Sequence, residues 1–563
     1  MNNTNEFHIG LCLAGAISAG AYTAGVLDYL LEALDQWEEL KKRKDIKGVP
    51  QHKVVISVIG GASAGGMTGM IMGIALNKKF DPIDELGKDE TSILNDKPSN
   101  PLYHSWVDLL DAKDPARYPE MFDYLLDNGD IKSGEVKSLF NSFFIEEIAN
   151  RTFKAPSAHP YYRSYVHKNL KVFATMTNVI GMEQIVEFKG DDEKNTLYHI
   201  LDHKDYGCFT FSKDDVSDIK GWERVDYSNE SVLERYKKIA MGTGAFPLGL
   251  APVEVSRRSD ILNRHAWLNY ITNFGQRPIP GKDYITTVVD GGMINNEPFE
   301  KVREILDDLV GPGDNDNQDY AKFRSTILMV DPFPSQSIAI IPGKNIISTI
   351  SNIISTLLNQ VRVKPEHLAA SLASDKAGQY IISPVRYVFG KNGEVKIKGD
   401  KAIACGSLDG FGGFLSKSFR IHDFYLGRAN CEKFLRDHFT VPESEDNPIF
   451  KNGYAHLDSS EKPRFRSKTD PSPGLQIIPI FSTRDDKTPL PLWPQIDLKK
   501  VISYRDKIYN RTEKILLNII NFRKRDRFLL WAGGKLFINR RITDIILNGI
   551  IKSLKDHFQI KEP

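Results

Sequence analysis

The sequence predicts an α/β fold built on a mainly parallel central sheet, and three stretches carry that prediction. A β-branched run from Val54 to Ile59 reaches a glycine-flanked serine, Gly61-Ala62-Ser63-Ala64-Gly65, and then Met67, Met70, Ile71 and Ile74 recur at helical spacing. An earlier strand, Phe7 to Leu13, opens onto a loop of small residues, Ala14 to Gly20, and then a helix. A later run, Ile285 to Val289, ends in Asp290-Gly291-Gly292. Strand, small loop, helix, strand, sharp turn, helix is the opening of a parallel α/β unit.

A chain of 563 residues exceeds one ordinary domain, so the expected organisation is a core unit and an extension. The core is expected over residues 1–400, with insertions near 80–165 and 189–235, and the extension over 401–563. Hydrophobic residues at 41% and charged residues at 26% exclude a disordered or membrane-embedded composition. A formal net charge of +1 gives no global field to attract nucleic acid. No apolar run reaches the roughly eighteen residues that a membrane span requires, and the first residues lack the basic start of a signal peptide. The four cysteines, Cys12, Cys208, Cys405 and Cys431, form no C-x-x-C pair, which suits a reducing cytoplasm and argues against a thiolate metal site.

In chain order, the first helix shows Val26, Leu27, Leu30, Leu31, Leu34, Trp37 and Leu40 on one face before the basic end Lys41-Lys42-Arg43-Lys44. The loop before it spaces Gly15, Gly20 and Gly25 wrongly for a G-x-G-x-x-G phosphate cradle. Its better use is to donate backbone N–H groups to an oxyanion. At the Ser63 turn, the small residues at 61 and 65 remove side chains that would clash, and the following helix aims its N-terminal dipole at the serine.

Residues 79–163 are polar and irregular, with helical fragments at Val107 to Leu110 and Val136 to Phe144. Strand patterns return at Leu170 to Thr175 and Gln184 to Phe188. The charged stretch 189–234 holds His199 and His203, four apart as on one helix face, with no third metal ligand in view. Asp290 closes a strand read as buried, where open α/β sheets place their active sites, although Asp-Gly is also a common turn pair. A helix from Pro298 to Leu309 and a strand from Thr326 to Val330 continue the core. A periodic helix, Ile346 to Val361, is expected to face it.

Beyond the core, Phe411 to Leu415 leads to a helix through Asp423-Phe424-Tyr425-Leu426-Gly427-Arg428, and residues 442–474 read as a linker or long surface loop. The stretch from Asp497 to Pro563 is expected to be helical and basic, with 16 Lys and Arg against 7 Asp and Glu. Its segments around Ile515 to Ile520 and Ile542 to Leu554, flanked by Arg523-Lys524-Arg525 and Arg540-Arg541, fit either packing on the core or contact with an anionic membrane.

Together the small-residue loop, the serine turn and the Asp-Gly-Gly strand end resemble the patatin-like phospholipases over roughly residues 7–335. Gly60 to Gly66 matches the family's nucleophile elbow, with Gly61 and Gly65 as its small residues. Asp290-Gly291-Gly292 matches its aspartate motif, and Gly20 to Leu27 the helix start after its oxyanion loop. Phe173-Ala174-Thr175 and Gly244-Ala245-Phe246-Pro247 look like further landmarks. The family usually has three glycines and then a basic residue in that loop, whereas Gly15, Ala16, Ile17 and Ala19 stand here.

The resemblance implies a patatin-like three-layer α/β/α sandwich and a lipid acyl hydrolase of phospholipase A or lysophospholipase type. It implies a Ser–Asp dyad of Ser63 and Asp290, with an oxyanion hole of N–H groups from Gly15, Ala16 and Ile17, no cofactor and no metal. Two alternatives stay open. One is an α/β-hydrolase triad in the order Ser, Asp, His, with His367, His422 or His438 as third member; the other is a catalytically weak lipid-binding or scaffolding protein. The expected partners are a lipid or phospholipid and no nucleic acid, in a cytoplasmic protein whose basic C-terminal region leaves peripheral membrane contact open.

Overall fold

Strands buried on both faces read as continuous apolar runs, and β1 (Glu6–Leu13) and β2 (Lys53–Gly61) are two such runs lying parallel side by side. In the computed structural model, residues 6–84, 96–97, 99–109, 117–132, 135–154, 161–188, 197–212, 220–268, 279–311, 319–334, 379–390, 393–444, 446–467, 474–481, 490–519 and 538–561 are described. The helix expected over Ile346 to Val361, His367 and the basic Arg523-Lys524-Arg525 lie outside them.

Seven further strands join the sheet: β3 (Val166–Glu187), β4 (Leu197–Ser212), β5 (Glu223–Arg224), β6 (Val253–Arg258), β7 (Asp283–Asp290), β8 (Ser325–Val330) and β9 (Gln379–Ile382). The order is β5-β4-β3-β2-β1-β8-β9, with β7 paired to β3 and β6 to β7. From β3 through β2, β1 and β8 to β9 all pairings are parallel, so the sheet is mainly parallel as its sequence implies.

Two apolar layers close on it. Phe7, Ile9, Leu11 and Leu13 face α1 (Gly20–Lys42) and α2 (Ser63–Ala75), while Cys12, Val58, Phe173 and Ile327 face α5 (Phe299–Val310). Alternation along β1 thus separates two cores, each large buried side chain contributing roughly 1.5–3 kcal/mol relative to exposure. Between them in sequence lie α3 (Phe143–Thr152) and α4 (Glu230–Thr243).

Several expectations change in the structure. The two strands read at 170–175 and 184–188 are one 22-residue strand, β3. The charged stretch after it supplies β4, antiparallel to β3, so His199 and His203 sit on a strand and not on a helix. His199 meets Glu183 at 2.7 Å, and His203 Nδ1 donates to the Asn178 carbonyl at 2.7 Å. Strand polarity hid this element, because an exposed ribbon carries charges as readily as a loop does. The fragment expected at Val136 to Phe144 becomes helical only from Phe143.

The C-terminal residues pack tightly on this frame. Helix α6 (Lys417–Asp437) lies on α1, which is buried on most of its circumference for that reason. A Cβ at Gly25 would fall 1.9 Å from the Phe424 carbonyl oxygen, and one at Gly427 2.2 Å from that of Tyr22, so the helices meet backbone to backbone. Beside that crossing Arg428 pairs with Asp28 and Glu32, and Asp28 also accepts from Asn100 at 2.8 Å and the Ile83 N–H at 3.1 Å. The stretch read as a linker, 442–474, instead folds a helix, Pro448–Tyr454, whose Ile449, Phe450 and Tyr454 are buried, and Phe465 is buried after it. Helices α7 (Arg505–Asn518) and α8 (Ile538–Asp556) follow. Among the described residues no helix is long and apolar enough to cross a membrane.

Candidate active site

The sheet's topology brings the serine turn and the Asp-Gly-Gly turn to one point. Strand β2 ends at Gly61, opposite Ala174 of β3. Strand β7 runs in from the other direction along the same edge of β3 and stops at Asp290, opposite Met176, two residues further on. Strand β7 is therefore antiparallel and half-buried, which corrects the reading of Asp290 as the end of a buried strand in the parallel array. The aspartate reaches the end of the sheet where Ser63 stands by closing a gap that β2 leaves.

There Ser63 Oγ donates to Asp290 Oδ2 at 2.6 Å, with both residues more than nine-tenths buried. The other carboxylate oxygen accepts the Gly292 N–H at 2.7 Å, a turn the adjacent glycines permit. Thr177 Oγ1 donates to the Asp290 carbonyl at 2.8 Å, and the Asp290 N–H donates to the Ala245 carbonyl at 3.0 Å, so the residue is fixed from backbone and side chain alike.

Ser63 itself stands at φ +52°, in the left-handed region that residues with a Cβ enter only under constraint. The constraint is close packing. A Cβ at Gly65 would lie 2.2 Å from the Leu13 carbonyl oxygen and 2.4 Å from that of Ala14, and one at Gly61 2.7 Å from Gly65 backbone atoms. Only glycines let β1, β2 and the start of α2 converge there. The Ser63 N–H is turned to Thr243 Oγ1 at 3.0 Å, which leaves the hydroxyl, not the amide, facing Asp290. Helix α2 begins at Ser63 and directs its positive end to the same point.

The loop after β1 lies over the serine. A Cβ at Gly15 would be 2.9 Å from Ser63 Cβ and 2.3 Å from Asn296 Oδ1. No backbone carbonyl among the described residues takes up the N–H of Gly15, Ala16 or Ile17. Ile17 adopts φ +49°, a costly conformation for a β-branched side chain. Backbone donors in such a place beside a nucleophile can stabilise an oxyanion.

Next to Ile17 the walls are apolar. The Phe411 ring lies 5.9 Å from Phe140 and 5.7 Å from Phe246, and Phe246 and Leu248 expose their side chains to solvent.

The sequence reading named Ser63, Asp290, Gly61, Gly65 and Gly15 to Ile17, and all of them gather here. It did not single out Thr243, Thr177 or Asn296. Thr243 immediately precedes the Gly244–Pro247 segment marked as a landmark, and Asn296 follows Asp290 by six positions, so proximity in sequence was the available signal for both. The histidines of the triad alternative are held elsewhere: His422 hydrogen-bonds Asp423 at 2.8 Å and meets the Trp493 ring, and His438 lies at the end of α6 against Phe434. Asp290 bonds the serine hydroxyl directly, in the position a triad histidine would occupy. Among the described residues no three His, Cys, Asp or Glu side chains gather as a metal site.

Comparison with known proteins adds two findings. A family model described as patatin-like phospholipase matches residues 11–303. An uncharacterized protein y4iI of Sinorhizobium fredii (strain NBRC 101917 / NGR234) is 28% identical over 599 aligned positions, covering 99% of this chain and 82% of its own length.

Proposed function

This chain belongs to the patatin-like phospholipase family, and from that premise we propose that it hydrolyses lipid carboxylic esters, of phospholipid or lysophospholipid, through a Ser63–Asp290 dyad. The observation that carries the dyad is the 2.6 Å hydrogen bond from Ser63 Oγ to Asp290 Oδ2.

In this mechanism Asp290 takes the hydroxyl proton as Ser63 Oγ attacks the ester carbonyl, and the N–H groups of Gly15, Ala16 and Ile17 hold the oxyanion of the tetrahedral intermediate. Collapse expels the alcohol, which receives the proton from Asp290 and leaves an acyl-serine. Water then gives a proton to Asp290 and attacks the acyl carbonyl, and the proton returns to Ser63 as the fatty acid departs. A preformed oxyanion site supplies about 3–4 kcal/mol per donor to such a barrier. The apolar rings at Phe140, Phe246 and Phe411 suit an acyl chain better than a polar substituent.

The test is hydrolysis of p-nitrophenyl esters and of a phospholipid dispersion by wild type, Ser63→Ala and Asp290→Ala. Turnover by wild type alone supports the reading. Wild type without turnover points instead to a lipid-binding protein, and activity surviving in Ser63→Ala excludes the dyad.

A further inference from the structure

The strained loop over Ser63 has a local turn bond, Ala19 N–H to the Ala16 carbonyl at 2.9 Å, but its one side-chain hydroxyl is tied to a remote part of the chain. Ser18 is buried; its hydroxyl donates to the Gly410 carbonyl and accepts the Gly413 N–H at 3.0 Å. A Cβ at Gly413 would fall 2.6 Å from Ser18 Oγ, and one at Gly410 3.4 Å from Ile17 Cβ, so this remote segment touches the loop on two consecutive residues.

The segment is itself unusual. Leu408, Asp409 and Gly410 stand in succession at φ +56°, +53° and +99°. Non-glycine residues persist there only when their surroundings over-determine them, and the surroundings are visible. Asp423 of α6 accepts the N–H of Ala404 at 2.7 Å and of Cys405 at 2.8 Å. Ser553 Oγ of α8 accepts the Leu408 N–H at 2.8 Å, and Gln559 Nε2 donates to the Ala404 carbonyl at 2.6 Å. A chain of hydrogen bonds therefore runs from the last helix through residues 404–413 to Ser18.

We propose that Ser18 is a positioning residue: through Gly410 and Gly413 it fixes Ile17 and the preceding N–H groups over Ser63, so that the C-terminal region completes the oxyanion hole. The inference rests on the reading of Ser63 as nucleophile. Its chemical content is that a loop with a β-branched residue at positive φ relaxes unless it is tied, and relaxation moves the donors away from the developing charge.

The experiment measures kcat and KM of wild type, Ser18→Ala, Gly413→Ala and the double variant on p-nitrophenyl acetate and p-nitrophenyl octanoate, with thermal melting of each. The expected result for Ser18→Ala is a loss of about 10- to 100-fold in kcat with KM within about 2-fold, equal on both esters, because misplacement of about 1 Å carries penalties of that order. Gly413→Ala lowers kcat in the same way, and the double variant is no worse than the poorer single one, since both break one contact. Wild-type kcat in Ser18→Ala, losses that multiply, or a loss confined to octanoate would each overturn the inference. If Ser18→Ala fails to fold, Ser553→Ala decides in its place. A lower kcat at unchanged KM in that variant supports the chain of contacts, and wild-type kcat breaks it. Failure of the underlying reading looks different: wild type is then inactive, or Ser63→Ala matches it.

Discussion

The serine elbow and the oxyanion loop face each other across less than one side chain, yet they are built by opposite means. The elbow is made by its own sequence: Gly61 and Gly65 allow β1, β2 and α2 to crowd together, and Ser63 is forced to φ +52° by that crowding. The loop carries equal strain at Ile17, φ +49°, but its hydroxyl anchor, Ser18, is bonded to Gly413, 395 residues away. Local packing holds Ser63, and a distant part of the chain holds the loop opposite it. The elbow should therefore respond to changes in the sheet and in the helices α2 and α4 packed on it, whereas the loop should respond to changes in the C-terminal region that leave that packing intact.

The largest effect is expected on the elbow side. Ser63→Ala should lower kcat by roughly a million-fold and Asp290→Asn by roughly 10,000-fold, the range seen when a nucleophile or its acidic partner is removed. Steady-state kinetics with unchanged melting checks both; a loss of less than about tenfold in either would break the comparison at its root.

Next comes Gly65→Ala, whose Cβ would sit 2.2 Å from the Leu13 carbonyl oxygen. Because the obstacle is backbone, the strands must move, at an expected cost of about 3 kcal/mol or more in urea unfolding.

On the other side, Arg428→Met should leave Asp28 buried and only partly compensated, destabilising by about 3 kcal/mol. Urea melts read that loss, and kcat per folded molecule should fall only if undocking α6 slackens the oxyanion loop.

The smallest effect is a pH dependence at the seam between the two regions. His52 is buried against Trp37, Phe450 and Tyr454, and its Nε2–H donates to the Ile477 carbonyl at 2.8 Å. Burial pushes its pKa down from the ordinary 6.5 to about 3, outweighing the help of that carbonyl. The unfolded chain thus binds a proton below pH 6.5 that the folded chain refuses. Stability from this group is complete above 6.5 and declines as pH falls toward 3, by at most about 1.4 kcal/mol per pH unit. Urea midpoints at pH 7.5 and 5.5 should differ in that direction, and His52→Gln should flatten part of the slope.

The same contrast explains what the sequence made legible. The elbow, its strand and its helix were readable because periodicity and glycine spacing are local properties. The expectation of Asp290 at a strand end held, but not the direction of its strand, since an alternating run looks alike in either orientation. Strand β4 was hidden by charges on an exposed ribbon, and the helix at Pro448–Tyr454 by the polar residues around it. Nothing in the pattern around Ser18 announces a partner near residue 410, because that contact depends on how α6 lies across α1.

The central claim, a nucleophilic Ser63 forming an acyl-enzyme, is tested most directly by acid-quenching the enzyme during hydrolysis of p-nitrophenyl butyrate and mapping the adduct by mass spectrometry. The account predicts a butyryl group on the tryptic peptide of residues 54–78, at Ser63, that is absent from Ser63→Ala. An adduct on another residue, or the same adduct at the same occupancy in Ser63→Ala, would contradict it.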